Sequence, residues 1–121
     1  MKNEQEMALE IGQLLTDGKG SDVCVIDVGN LNSWTNFFVI VTVSSSTQMA
    51  GLYKLVKDYT RENDLEIFEP HQKIADGNDW SIIDIGNIVI HMMSDDARKF
   101  YDLEKLWHGG EFLMSKDANH F

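Results

Sequence analysis

The chain has 121 residues, enough for one domain with a real core, and its hydrophobic (43%) and charged (25%) fractions suit a globular protein and speak against intrinsic disorder. Twenty acids against ten bases give a net charge of -10, which repels phosphate backbones and disfavours direct binding of naked nucleic acid; read alone it is first of all a charge that keeps the protein soluble, the alternative being that it steers the protein towards a basic partner. A single cysteine, Cys24, excludes an intrachain disulfide, the opening MKNEQEMALEIGQLL is too polar for a signal peptide, and no run approaches a membrane span, so a soluble cytoplasmic protein is expected.

In chain order, Asn3 to Thr16 is predicted to be a helix, because Met7, Ala8, Ile11, Leu14 and Leu15 recur on one face and Asp17-Gly18-Lys19-Gly20 stops it. Asp22 to Val28 reads as a short strand, with Cys24 as a small core residue. A polar loop from Gly29 to Asn36 carries Trp34. The nearly continuous apolar run FFVIVTV, Phe37 to Val43, predicts a central strand covered on both faces. Ser45 with Gln48 three residues later matches a capping box for a helix to about Asn63, whose buried stripe is Met49, Leu52, Val56 and Tyr59, widened by Leu55.

A strand is expected at Leu65 to Phe68, then a loop from Glu69 to Asn78 around the only proline, Pro70. Trp80 to Ile85 and Ile88 to Met93, joined by Gly86-Asn87, form a hairpin. Alternation puts Trp80, Ile82 and Asp84 on one face and Ser81, Ile83 and Ile85 on the other. Ser94-Asp95-Asp96 opens a last helix with Phe100, Leu103 and Trp107 on one stripe, ended by His108-Gly109-Gly110. The expected fold is α+β (mixed α/β): a five-stranded mixed sheet with helices packed on it. Residues 1–110 make one domain and residues 111–121 a loosely ordered tail.

Catalytic patterns fail their structural context. Gly20-Ser21 precedes a strand, where a nucleotidyltransferase needs a helix start, and no Asp-x-Asp follows to bridge two metals. Gly18 and Gly20 form a lone G-x-G that reads as a turn. His71, His91, His108 and His120 share no metal-ligand spacing. His91 reads as a half-buried structural histidine satisfied by a carbonyl or an acid. Neither catalytic residues nor metal nor cofactor are expected. Trp80, opening a hairpin strand beside Asp84, reads as an interface anchor at a sheet rim.

The residues Trp80, Asp84, Gly86, Val89, His91 and Met93, followed by Arg98, Tyr101, Leu103, Glu104, Leu106 and Trp107, spell W-x(3)-D-x-G-x(2)-V-x-H-x-M and R-x(2)-Y-x-L-E-x-L-W. This resembles the C-terminal signature of the ribosomal silencing factor (Iojap-like) family, and KGSDVCVIDV and TNFFVIVTVSSSTQ fit its earlier segments. The sequence departs from the family pattern at Asn36, Val43, Pro70 and Asn87, all at strand ends and loops. The resemblance implies a nucleotidyltransferase-like fold without the catalytic residues. It also implies binding to the large ribosomal subunit through a basic ribosomal protein on the intersubunit face, and repression of translation by blocking small-subunit joining. It places Trp80, Asp84, His91, Arg98, Tyr101 and Glu104 at partner-binding positions, with Leu103 and Trp107 in the core. The alternative is a divergent nucleotide-handling enzyme with a phosphate site near Gly20-Ser21. A homodimer through the aromatic face is a further expectation, since such a face can pair with itself.

Overall fold

The structure, a computed structural model, describes residues 3–31, 33, 35–73 and 80–114. Helix α1 (Glu4–Asp17) starts where the Asn3 side chain accepts from Glu6 N at 2.8 Å. Strands β1 (Ser21–Asp27) and β2 (Phe37–Thr42) follow, then helix α2 (Ser46–Glu62). Ser45 Oγ accepts from Gln48 N at 3.1 Å, as the capping pattern requires. The reciprocal bond is shifted by one residue: Ser44 N donates to Gln48 Oε1 at 2.7 Å. Strands β3 (Glu69–Lys73), β4 (Trp80–Asp84) and β5 (Ile88–Met93), short helices α3 (Asp95–Tyr101) and α4 (Leu103–Leu106), and strand β6 (Glu111–Met114) complete the described chain.

The strands form one mixed sheet in the order β3-β4-β5-β2-β1-β6. Only the β2–β5 contact among the described pairs is parallel, with Phe37 opposite Ile88 through Thr42 opposite Met93. The β4–β5 hairpin is antiparallel and closes with Ile85 N donating to Ile88 O at 2.9 Å. Gly86 adopts φ +96, a conformation that favours glycine, and Phe68 lies close against it.

The apolar run of β2 is buried along its whole length, because its two faces feed two cores. Val39 and Val41 join Val25, Ile83, Ile90 and Met92 beneath Ile11, Leu15, Leu52 and Val56 of α1 and α2. Phe38 and Ile40 join Cys24, Ile26, Trp80, Val89 and Met93 beneath Ala97 and Leu103. A hydroxyl-to-carboxylate bond of 2.6 Å from Tyr59 to Glu10 Oε1 ties the two long helices together.

The mixed sheet with helices packed on it agrees with the sequence reading, with three changes. The sheet has six strands because residues 111–114, expected in a loose tail, pair with β1. The third strand lies at Glu69–Lys73 and not at Leu65–Phe68; it pairs antiparallel with β4, and Pro70 sits in it because an edge strand tolerates a missing donor. The last helix breaks in two at Asp102, so the stripe of Phe100, Leu103 and Trp107 does not form: Phe100 is 80% exposed, while Leu103 is buried. Trp34 and residues 115–121 lie outside the described residues.

Candidate functional site

The break at Asp102 builds a corner on the surface. Ser94 Oγ accepts from Ala97 N at 3.1 Å and starts α3, with Asp95 and Asp96 at the positive end of the helix. Asp102 turns left-handed, with φ 47, a conformation that Asp enters more readily than most residues. Its N–H donates to Arg98 O at 2.9 Å and ends α3. Its side chain then serves as the N-cap of α4. One residue thus closes one helix and opens the next, and the chain turns a corner.

Arg98 holds that corner from below. Its Nε and Nη2 donate to the two Glu104 oxygens, each at 2.9 Å, and its Nη1 donates to Thr42 Oγ1 at 2.9 Å. The guanidinium fork therefore ties α3 to α4 and both to the end of β2, with Arg98 buried and Glu104 half-buried. Beneath lie the rings. The Trp80 indole N–H donates to His91 Nδ1 at 3.1 Å. Phe38 meets the His91 ring edge-on at 4.8 Å and the Trp107 ring edge-on at 5.1 Å between centroids. Tyr101 lies over Trp80 at 4.7 Å, and Phe100 meets Tyr101 edge-on at 5.0 Å.

Two expectations change here. Trp80 is not an exposed rim anchor: it is 9% exposed, because β3 extends the sheet beyond β4 and Tyr101 covers the indole. His91 is fully buried and satisfied on one side only, by an indole donor and by neither a carbonyl nor an acid. Accepting at Nδ1 leaves the ring proton on Nε2, which has no hydrogen-bond partner among the described residues. Burial pushes the His91 pKa down to about 3, so the ring stays neutral at physiological pH.

Asp84 is half-buried and holds the hairpin turn, its Oδ1 accepting from Gly86 N at 2.7 Å. Of the six predicted site residues, the structure gathers Trp80, His91, Arg98, Tyr101 and Glu104 around the corner and leaves Asp84 at the far end of β4. Tyr101 is 43% exposed. Sequence reasoning missed Phe100 and Leu106, which the corner turns outward; Leu106 is 69% exposed. The only local signal was Asp102, a residue type that permits a left-handed junction without demanding it.

The glycines near Ser21 have a packing explanation. A Cβ on Gly20 would clash with Val41 Cγ2 and come within 2.9 Å of the Leu15 carbonyl, and one on Gly18 within 2.7 Å of Leu55. Their absent side chains admit β2 and α2 close to the turn. Cys24, buried in the second core, has its thiol pushed up to about 12, first by desolvation and then by the Glu104 carboxylate. Among the described residues, no group of three or more His, Cys, Asp or Glu could hold a metal.

The corner displays apolar side chains rimmed by charge on a braced scaffold, within a domain of the α+β class. Comparison with known proteins makes the assignment specific. The family described as "Ribosomal silencing factor during starvation" matches residues 1–120, and the chain belongs to that family. It is 33% identical over 100 residues to the ribosomal silencing factor of Treponema pallidum, covering 83% of this chain and 88% of that one. It is 37% identical over 97 residues to the mouse protein named for mitochondrial assembly of the ribosomal large subunit, covering 78% of this chain but 42% of that longer one. A crystal structure of a Chromobacterium violaceum protein superposes with a TM-score of 0.79 at 28% identity, covering 95% of this chain and 93% of that one. Proteins of this family are regulatory, ribosome-associated factors and not enzymes.

Proposed function

We propose that this protein represses translation in the cytoplasm by docking on the large ribosomal subunit, through a basic ribosomal protein on the intersubunit face, and sterically preventing the small subunit from joining. Membership of the silencing-factor family carries this reading. The net charge of -10 supports it, since an acidic domain is attracted to a basic protein surface and kept off exposed RNA. The predicted site residues divide into three roles. Tyr101 and Glu104 stand where a partner can reach them. Trp80, His91 and Arg98 act from beneath, setting the position of α3 and α4. Asp84 shapes the hairpin, and its charge adds to the acidic field.

Sedimentation of the purified protein with isolated large and small subunits at moderate salt tests the reading. Co-migration with the large subunit alone is expected, weakening as salt rises. Equal pelleting with both subunits, or with neither, would overturn it. Replacing Asp84 by Lys confounds charge with loss of the turn acceptor; Asp84→Asn removes the charge and keeps the acceptor oxygen, and is the cleaner variant.

A further inference from the structure

We infer that Phe100 and Leu106, on either side of the left-handed residue Asp102, are the paired anchors by which the corner grips a basic protein surface; this rests on the docking function proposed above. Phe100 is 80% exposed and Leu106 69% exposed. Large apolar side chains displayed this openly cost nothing as isolated cases, but these two belong to one braced unit. Phe100 continues the aromatic row that runs through Tyr101 to the buried Trp80. Leu106 ends a four-residue helix whose start is capped by Asp102 and whose Glu104 is clamped by Arg98. Glu104 and Lys105, its neighbours, also line an open groove of about 550 Å³ with His108, Gly110 and Phe112, which gives a partner side chain room beside the anchor.

The rigidity matters as much as the exposure. The fork from Arg98, the cap from Asp102 and the Tyr101 ring over Trp80 fix both backbones before any partner arrives, so little ordering remains to be done on binding. Aromatic anchors of this kind, preset and surrounded by groups that exclude water, dominate binding energies at protein interfaces. The charges on the corner argue for the occupant. Lys99 is paired with Asp95 at 2.9 Å, and beyond that pair the exposed acids Asp96 and Asp102 outnumber the exposed base Lys105. With the field of the whole acidic chain behind it, the corner suits a basic protein face and repels a second copy of itself.

The test compares the wild type, a Phe100→Ala and Leu106→Ser double variant, and Phe68→Ala, which removes an exposed aromatic outside the corner, for affinity to isolated large subunits. Thermal melts establish folding, which exposed substitutions should leave intact. The expected result is a loss of about tenfold or more in the double variant and none in Phe68→Ala. If the double variant fails to fold, the single Phe100→Tyr and Leu106→Gln variants are measured, and each should lose affinity. Wild-type binding with unchanged affinity in the folded corner variants would overturn the anchor assignment while leaving the docking function standing. No wild-type binding would overturn both. A dimer in sedimentation that dissociates in the double variant would make a second copy the occupant and also overturn the proposal.

Discussion

At the scale of single residues, burial decides what each side chain can do. Cys24 combines near-complete burial with a thiol pushed up to about 12, so it should resist alkylation in the native protein and react only after denaturation; brisk native labelling would contradict its placement. His91 makes stability depend on pH. Its pKa is lowered from 6.5 to about 3 by burial, so between those values the unfolded chain binds a proton that the native state refuses. Stability should therefore fall with acidification from about pH 6.5 towards 3, by up to about 1.4 kcal/mol per pH unit from this residue. Denaturant melts of the wild type and of His91→Phe across that range check this: the variant should lose that part of the slope. Trp80→Ala should destabilise the fold by about 3–5 kcal/mol, because it empties a core position and removes the indole donor to His91. Any binding loss in that variant would report folding before it reported contact.

At the scale of elements, the polar clamps and close approaches carry the predictions. Glu104→Ala leaves the buried Arg98 with Thr42 alone and should cost about 2 kcal/mol, less than a fully buried pair because Glu104 retains solvent access. Gly20→Ala should cost about 1–3 kcal/mol by forcing Val41 and the α1 terminus apart. Chemical denaturation measures both. The elements also show where the sequence was readable. The faces of α1 and α2, the fully buried β2 and the Gly86-Asn87 hairpin were legible because periodicity, caps and turn residues are local signals. Strand β3 is not legible because EPHQK lacks strand character, and only its pairing to β4 makes it a strand. Strand β6 is not legible because four residues after a glycine pair carry no period. The corner at Asp102 was hidden because a 3.6-residue stripe of Phe100, Leu103 and Trp107 is consistent with one continuous helix, and the break is fixed by tertiary bonds from Arg98. The candidate site was legible as a motif but not as a division between buried braces and exposed contacts.

At the scale of the whole molecule, an acidic domain with two cores presents one rigid aromatic corner, and its family acts on ribosomes. The proposed mechanism requires occupancy of the large subunit and exclusion of the small one, and nothing catalytic. The most direct measurement mixes large and small subunits under joining conditions, with and without saturating protein, and resolves the particles on a density gradient. The account predicts that the protein leaves free subunits and travels with the large one, and that the corner double variant restores joined particles. Joined particles that carry the protein would contradict it.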